Sequence, residues 1–497
     1  MKPIENKCML ITYANSMGGD LKTLEQVLDR HFSRELGGVH ILPFFPSSGD
    51  RGFAVVNYDI VDPDFGTWED IERLNEKYFL ACDFMLNHVS IRCEEFLDYM
   101  KNGDASPYRD MFIHWNEFWP NGEPTEEDLK VLYSRKAQGP RKTFVREDGT
   151  EAVLWNTFFE EQVDIDPHAK ATQEYYDRNL KRLAKYVPLI RFDAFAYASK
   201  VPGTSCFFVE PEVWDVLNIS MKPLRETGTQ MLAEIHENYH IQKALASRGH
   251  WVYDFALPLL LLHGLHTGRT DRLISWLQVC PHNQFTTLDT HDGIGVVDAA
   301  HLMTEAEIIE ISNIVSDRLA DGWSKLPAEV LEKNAQWNSL IKRSDGKARV
   351  YQLGGTFYSA MGEDDDAYLL ARIVQFFTPG IPQVYYVGLL AGVNDFDGLA
   401  TGGGPREINR HNFTVEEIEE RVKYPMLQKL YEIMRFRNNY PAFNGEFKVN
   451  DQLENGLLEI TWTQEAYETC LKADFHSKEW EISCVDENGE RRVIGKD

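Results

Sequence analysis

Residues 189–199 read LIRFDAFAYAS, and the apolar start of this stretch predicts a short buried strand over 189–196. Arg191 and Asp193 are separated by one residue. Side chains two apart in a strand share a face, so both can point into one cavity. A neighbouring Arg favours the ionised, nucleophilic form of a carboxylate. A structural ion pair at a strand end is the alternative interpretation, and three other stretches decide between the two.

These three stretches repeat the pattern of an apolar run that ends in a carboxylate or a histidine. They read DFMLNH at 83–88, MLAEIH at 231–236 and FTTLDTHD at 285–292. Such a run is typical of a buried parallel strand that carries polar groups at its C-terminal end. The four stretches together therefore favour an enzyme over a structural ion pair.

In this order, the four stretches resemble the four signature regions of the alpha-amylase superfamily of glycoside hydrolases and transglucosidases. The resemblance implies that Asp193 is the nucleophile, Glu234 the general acid/base and Asp292 the stabiliser of the transition state. It also implies that His88 and His291 bind the sugar. Retaining transfer requires two carboxyl groups roughly 5–5.5 Å apart, a distance that Asp193 and Glu234 can meet on adjacent barrel strands.

Five longer motifs narrow the resemblance to the sucrose phosphorylase family, and this similarity extends over essentially the whole chain. The motifs are GTSCFFVEPE at 203–212, VYDFALP at 252–258, TLDTHDGIGVVD at 287–298, FFTPGIPQVYYVG at 376–388 and REINRH at 406–411. That family transfers glucose from sucrose to phosphate through a covalent β-glucosyl intermediate. The products are α-glucose 1-phosphate, with retained configuration, and fructose. No cofactor is implied, because inorganic phosphate is a substrate.

The length of 497 residues suits an α/β protein with a (β/α)8 TIM barrel, two inserted domains and a small C-terminal antiparallel β domain. The formal charge of −27 argues against nucleic-acid or anionic-membrane partners, because both need basic patches. The chain has seven cysteines, which is an odd number, and they form no C-x-x-C motif. This pattern predicts reduced cysteines that pack in the core of a cytoplasmic protein. We expect a monomer or homodimer, and the sequence shows no clustered metal ligands.

The alternation of strands and helices predicts the domain boundaries. It lapses over 89–166 and 294–358. The resemblance implies that these two stretches are the inserted domains B and B′. The barrel segments are then 1–88, 167–293 and 359–441. Short alternating segments predict the β domain over 442–497, and one continuous helix is predicted over 415–439.

The resemblance also implies a set of substrate-binding side chains around the carboxylates. Phe53 would form an apolar platform for one face of the sugar. The other implied substrate-binding residues are Asp50, His88, Gln162, Arg191, Tyr197, His236, His291, Gln352 and Arg406. Each histidine alone could be a satisfied core residue, but its position at a strand end favours contact with substrate.

The stretch that is expected to bind the acceptor differs in sequence from the family pattern. Relatives usually carry Leu-Asp-x-Tyr-Gln in the second insertion, whereas this chain has ARVYQ at 348–352, so that Arg349 replaces an acidic residue. Arg135, Arg349 and Tyr351 are the candidates for binding phosphate. We expect the two arginines to converge on the acceptor site when phosphate binds, because Arg can grip phosphate in a bidentate way. A solvated loop face is the alternative for each arginine.

Three other functions stay open from the sequence. A sucrose 6′-phosphate phosphorylase would use the same chemistry, but relatives of that kind have His where Tyr351 stands. A hydrolytic α-glucosidase is disfavoured by the FFTPGIPQVYYVG motif and by the phosphorylase-like second insertion. A catalytically inactive barrel that serves as a binding subunit is disfavoured by the presence of all three carboxylates.

Overall fold

Eight parallel strands form a closed barrel, and their order around it follows the order of the chain. The strands are β1 (Met9–Thr12), β2 (Gly38–Ile41), β3 (Phe79–Met85), β4 (Leu189–Asp193), β5 (Gln230–Ala233), β6 (Trp251–Asp254), β7 (Gln284–Thr286) and β8 (Ile381–Tyr385). β8 pairs with β1, for example Val384 with Leu10, and this pairing closes the sheet. The predicted barrel is confirmed. The computed structural model describes residues 3–136, 138–333, 339–342, 348–401 and 404–495.

Helices flank the barrel strands and bury one face against them. In the helix Leu21–His31, Leu24 and Leu28 are four residues apart and both are buried. Asp20 caps this helix, because its side chain accepts a hydrogen bond from the Thr23 N–H (2.6 Å). The other helices of the barrel part are Trp68–Lys77, Lys170–Leu183, Glu212–Thr227, Tyr239–Ala246, Leu257–Thr267, Asp271–Leu277, Asp365–Phe377, Tyr386–Leu389, Phe396–Ala400, Val415–Arg421 and Pro425–Asn439. Within the described ranges, no helix combines the length and the apolar character that crossing a membrane would require.

The first excursion from the barrel lies between β3 and β4. It contains the helices Glu94–Asn102, Trp115–Phe118 and Glu126–Val131, and an antiparallel hairpin of Arg141–Val145 with Glu151–Trp155. Two short strands, His88–Ser90 and Gln162–Asp164, pair with each other, and His88 lies opposite Asp164. This pairing joins the start and the end of the excursion close to the end of β3.

The second excursion lies between β7 and β8. It contains the helices Glu305–Trp323, Ala328–Lys333 and Phe357–Ala360, and an antiparallel sheet of Ile294–Gly295, Ala348–Leu353 and Ser339–Lys342. In this sheet Gly295 pairs with Gln352. That register places Gln352 next to the segment that follows β7, where Asp292 lies.

A five-stranded antiparallel sheet forms the C-terminal part of the chain, as predicted. Its strands, in order across the sheet, are Glu446–Val449, Leu457–Gln464, Tyr467–Asp474, Glu479–Val485 and Arg491–Gly495. Leu458, Ile460 and Trp462 alternate along one strand and are buried. The Trp462 indole donates a hydrogen bond to the Phe377 carbonyl (2.8 Å), which joins this sheet to the helix before β8. The numerical domain boundaries stay predictions.

The strand predicted over 189–196 is wrong in extent. β4 ends at Asp193, because Ala194 has a φ of 53° and a left-handed residue does not continue an extended strand. Glu234 and Asp292 also lie beyond the last residues of β5 and β7. The three carboxylates therefore project from strand ends and from the loops that follow them, at the C-terminal face of the barrel.

The helix predicted over 415–439 is also wrong, because it is two helices. The first ends at Arg421, and the second begins at Pro425. A proline inside a continuous helix would remove one main-chain hydrogen bond and clash with the preceding turn, whereas at the first helical position it does neither.

Candidate active site

A cleft opens at the C-terminal ends of the barrel strands and contains nearly all of the predicted site residues. Its lining comprises Asp50, Phe53, His88, Arg135, Phe158, Phe159, Gln162, Asp193, Ala194, Tyr197, Glu234, His236, His291, Asp292, Tyr351, Gln352 and Arg406. Arg191 is buried next to this lining, with a side chain that is 3% exposed. Arg349 belongs to the strand Ala348–Leu353, but its side chain lies outside the described residues.

Arg191 connects carboxyl groups on or directly after three neighbouring strands, β3, β4 and β5. Its Nη1 lies 2.9 Å from Asp193 Oδ1 and also contacts Asp83 on β3, and its Nη2 lies 3.8 Å from Glu234 Oε1. Burial raises the pKa of Asp193 well above its usual range, while Arg191 lowers it and Glu234 raises it. The expected effect of Arg191 on Asp193 is therefore present, but burial outweighs it. Because the guanidinium is closer to Asp193 than to Glu234, it favours negative charge on Asp193 within the pair.

Glu234 is oriented by contacts on two sides. The Ala194 N–H donates a hydrogen bond to Glu234 Oε2 (3.0 Å). The residue that directly follows β4 therefore also positions the carboxyl group after β5. Glu234 Oε1 lies 3.5 Å from His236 Nε2. The Glu234 side chain is 12% exposed, which leaves one edge of the carboxyl group open to the cleft. Glu234 can therefore exchange a proton with a group bound there.

Asp292 is surrounded by positively charged and imidazole groups. Its Oδ1 lies 2.9 Å from Arg406 Nη1, 3.6 Å from His291 Nε2 and 4.0 Å from Arg410 Nη2. Although burial raises the pKa of Asp292, these neighbours, Arg406 most strongly, hold it well below its usual range. Asp292 is therefore an anion throughout the physiological pH range.

Phe53 forms one wall of the cleft and is fixed by its neighbours. Its ring stacks on the His291 ring, with centroids 4.8 Å apart and planes inclined by 8°. Its carbonyl accepts a hydrogen bond from Gln162 Nε2 (3.1 Å) and lies 3.1 Å from His88 Nε2. Burial lowers the pKa of both histidines, so both present neutral rings. An apolar ring flanked by neutral imidazoles and an amide suits the mixed surface of a sugar.

Another wall of the cleft consists of aromatic rings and a guanidinium group. Arg135 Cζ lies 3.9 Å from the centre of the Tyr351 ring, in a cation–π contact. The Tyr351 ring in turn meets the His236 ring at 5.4 Å. Burial raises the pKa of Tyr197 to about 12, so its hydroxyl group stays protonated. In the part of the chain that the structure describes, no carboxylate forms an ion pair with Arg135, and its charge can serve a bound anion.

Sequence reasoning missed some residues of the site. Phe158 and Phe159 line the cleft, and Phe159 is 44% exposed. An aromatic pair in an irregular insertion carries no signal that separates it from other loop aromatics. Arg410 is buried beside Asp292, four residues after Arg406 in the same REINRH motif. That repeated arginine is the signal from which Arg410 could have been found.

Glu234, His236 and Asp292 bring three atoms of metal-ligand type within 4.8 Å of one another. Their surroundings do not suit a cation. Arg406 lies against Asp292, Arg191 lies near Glu234, and both ring nitrogens of His236 have partners. Guanidinium groups this close oppose a metal ion electrostatically. The sequence-based prediction of no metal stays a prediction.

The cleft combines groups that suit the transfer of a sugar. Two carboxyl groups held by one guanidinium can supply the nucleophile and the proton donor that a retaining transfer requires. Asp292, which remains ionised, can stabilise positive charge that develops on a sugar ring. Arg135 adds a positive group that an anion can contact.

Known proteins that resemble this chain are sugar-converting enzymes. The chain matches the model of the alpha amylase catalytic domain over residues 11–219. It is 44% identical to the sucrose phosphorylase of Streptococcus mutans, and the match covers 91% of this chain and 92% of that protein. It is 42% identical to the sucrose 6(F)-phosphate phosphorylase of Thermoanaerobacterium thermosaccharolyticum, over 98% of both proteins. It is 39% identical to the glucosylglycerol phosphorylase of Marinobacter adhaerens, over 99% of both.

Solved structures extend this likeness to the fold. The crystal structure of sucrose 6F-phosphate phosphorylase from Thermoanaerobacter thermosaccharolyticum superposes with a TM-score of 0.92 and 41% identity, over 99% of both chains. The alpha-amylase of H. orenii superposes with a TM-score of 0.68 and 15% identity, over 98% of this chain and 92% of that one, and shows the fold alone. By its barrel, its cleft and these relatives, the chain belongs to the sucrose phosphorylase family of glycosyltransferases in the alpha-amylase superfamily.

Proposed function

We propose that this protein transfers glucose from sucrose to inorganic phosphate, and that it releases D-fructose and α-D-glucose 1-phosphate. The observation that carries the proposal is the Arg135 guanidinium, which lies over Tyr351 in the same cleft as the carboxylates. A hydrolase needs no positive group for its acceptor. Phosphate does, because the chain carries a net charge of −27 and the cleft is rich in carboxylates. The name of the Streptococcus mutans relative supports sucrose as the donor.

In the first half-reaction, Asp193 attacks the anomeric carbon of the glucosyl group, and Glu234 donates a proton to the fructosyl oxygen as that bond breaks. Arg191 supports this division of roles, because it is closer to Asp193 (2.9 Å) than to Glu234 (3.8 Å). Asp292 stays ionised and stabilises the positive charge that develops on the sugar ring. The products of this step are a β-glucosyl ester of Asp193 and free fructose.

In the second half-reaction, phosphate takes the place that fructose leaves. Arg135 and His236 attract it, and a phosphate oxygen attacks the anomeric carbon of the Asp193 ester. Glu234, now ionised, accepts the proton that this phosphate oxygen loses. Asp193 leaves as a carboxylate. Two inversions at the same carbon give the retained α configuration.

A preference for sucrose 6′-phosphate is the alternative, and it is favoured by the name of the relative that matches 98% of the chain. In such a donor, the 6′-phosphate lies several bonds away from the anomeric carbon that the acceptor phosphate attacks. A donor that carries its own phosphate therefore needs a positive group placed for the fructosyl end. Arg349 is the candidate from the sequence, whereas Tyr351 adds no charge at this position.

Product analysis with sucrose, in the presence and absence of phosphate, tests the proposal. We expect glucose 1-phosphate and fructose in equal amounts with phosphate, and only slow release of glucose without it. Equal rates of glucose release under both conditions would identify a hydrolase. Parallel assays with sucrose 6′-phosphate and glucosylglycerol rank the donors, and a higher kcat/KM for either one rejects sucrose. Dialysis against EDTA should leave the rate unchanged, because the proposed reaction uses no metal or cofactor.

A further inference from the structure

Asp298 is a buried carboxylate that the mechanism above does not use. It lies in a short helical turn, Val297–Ala299, after the strand Ile294–Gly295, and it is 1% exposed. Its Oδ2 lies 3.0 Å from His236 Nδ1. Its Oδ1 accepts hydrogen bonds from the Glu237 N–H (3.2 Å) and from Gln242 Nε2 (3.4 Å). Both oxygens of a fully buried acid are thus directed at the segment that follows Glu234.

The His236 ring is fixed on all sides. One face stacks on Phe255, with centroids 3.9 Å apart and planes inclined by 19°. Tyr351 approaches at 5.4 Å, and His236 Nε2 lies 3.5 Å from Glu234 Oε1. The Gln352 side-chain amide lies 3.0 Å from Nε2, so a protonated Nε2 requires this amide to turn its oxygen toward the ring. With Nδ1 directed at Asp298, Nε2 necessarily faces Glu234 and the cleft. The ring therefore has one orientation, and Asp298 decides which nitrogen points outward.

Negative groups surround this ring. Asp298 faces it from the second excursion, Glu234 from its own segment, and Asp292 from the segment after β7. Although burial lowers the pKa of His236, Asp298 most strongly raises it, so that the overall shift is upward. The titratable side chain of Tyr351 also borders the ring, and the Arg135 cation lies on the far side of that tyrosine. Glu237 and the buried Asp254 on β6 are further carboxylates near Asp298.

We propose that Asp298 is a positioning residue that keeps His236 protonated, with Nε2–H directed at the acceptor that attacks the glucosyl ester. This inference rests on the proposed function, because it explains how an anionic acceptor is tolerated beside Glu234. An imidazolium at 3.5 Å offsets the charge of the Glu234 carboxylate that exists when phosphate binds. A neutral imidazole would leave phosphate facing that carboxylate with only Arg135 in support.

The substitution Asp298→Asn tests the inference, because it removes the charge and preserves the volume. We expect the KM for phosphate to rise about tenfold or more, while glucosylation by α-glucosyl fluoride without phosphate changes less than about twofold. The basic limb of kcat/KM for phosphate should move to lower pH, since the protonated form is lost as pH rises through the pKa of His236. Phosphate ionisation is the same for both enzymes and cancels in the comparison. Glu237→Gln is the matched control, because it removes a nearby charge without breaking the bond to His236.

Titration of 15N-labelled histidine by NMR supplies a readout that needs no activity, with the His236 signal assigned by its loss in His236→Gln. We expect His236 to be protonated at neutral pH in the wild type and to lose its proton at lower pH in Asp298→Asn. A neutral His236 in the wild type overturns the inference, and this result does not depend on whether the variant folds. An unchanged titration of His236 in the folded variant overturns it as well. An unchanged KM for phosphate despite a shifted titration overturns it as well. Failure of the wild type to form glucose 1-phosphate would instead reject the proposed function, and the titration result would still decide whether Asp298 sets the charge of His236.

Discussion

Arg51 Nη2 lies 2.6 Å from Glu407 Oε2, and this ion pair joins the loop after β2 to the loop after β8. Arg51 Nη1 also donates a hydrogen bond to the Arg410 carbonyl (3.0 Å). Asp50 and Arg51 have φ values of 48° and 47°, in the left-handed region. That region costs a non-glycine residue about 1 kcal/mol or more. The two contacts of Arg51 therefore hold Asp50 in a strained position at the cleft.

Breaking this ion pair should weaken binding of the donor. We expect Arg51→Ala and Glu407→Gln each to raise the KM for sucrose about three- to tenfold with little change in kcat, because the loop that carries Asp50 loses a tether. A double-mutant cycle should give a coupling energy of roughly 1 kcal/mol. Arg30→Ala, which removes an exposed ion pair with Glu419, is the control and should leave KM unchanged. Strictly additive effects of the two changes would show that the pair does not act as a unit.

Asp193→Asn should fold normally and lose at least ~10³-fold in turnover, because the covalent step has no substitute nucleophile. Mass spectrometry of the wild type after reaction with a 2-fluoro-glucosyl fluoride should place the trapped sugar on the peptide that contains Asp193. A label on any other carboxylate, or substantial turnover in a preparation shown to be free of wild type, contradicts the assignment.

Glu234→Gln should abolish turnover of sucrose, whose leaving group needs a proton. Glucosylation by α-glucosyl fluoride should be largely spared, because fluoride departs with little protonation. The rates of fructose and fluoride release by the same variant preparation measure this difference. Equal losses with the two donors would show that Glu234 is not the proton donor.

Arg135→Ala should raise the KM for phosphate about tenfold or more, the effect of losing a charge-assisted hydrogen bond of ~1.5–3 kcal/mol, and should barely change the KM for sucrose. Arg349→Ala tests the prediction that a second arginine converges on the same anion. Arg141→Ala is the control, because this half-exposed arginine belongs to the same excursion as Arg135. If Arg349→Ala leaves the KM for phosphate unchanged and the wild type does not act on sucrose 6′-phosphate, Arg349 has no part in either specificity.

Asp254 should make the free energy of unfolding depend on pH. Burial raises its pKa to about 6, although it accepts a hydrogen bond from the Trp276 indole (2.9 Å). The folded state therefore holds this proton more tightly than the unfolded state, and the stabilisation is fully present below pH ~4 and lost as pH rises through about 6. In denaturant titrations, the wild type should gain stability relative to Asp254→Asn between pH 7 and pH 4, by roughly 2.4 kcal/mol. A difference that is the same at both pH values would contradict the raised pKa.

The sequence alone determined the barrel and the positions of its three central carboxylates, through local patterns together with the resemblance to the alpha-amylase superfamily. Side-chain alternation in a strand is a local property, and so is the apolar run that marks a buried strand. Arg191 and Asp193 could therefore be placed on one face of β4 without knowledge of the rest of the fold. For the same reason, Glu234 and Asp292 could be located at strand ends, although the exact ends of β4, β5 and β7 depend on backbone angles such as that of Ala194.

Only the tertiary structure decided which groups act on these carboxylates. Arg191 meets Asp83, and Asp298 meets His236, across 108 and 62 residues of chain, so no local pattern could have paired them. The pKa of Asp193 is set by burial more than by its arginine, and burial exists only once the barrel has closed around it. The sequence specifies the chemical type of each side chain, whereas packing decides the distances between charged groups, their desolvation and their partners. Electrostatic energy depends on separation in space and on the exclusion of water, and both exist only in the folded protein.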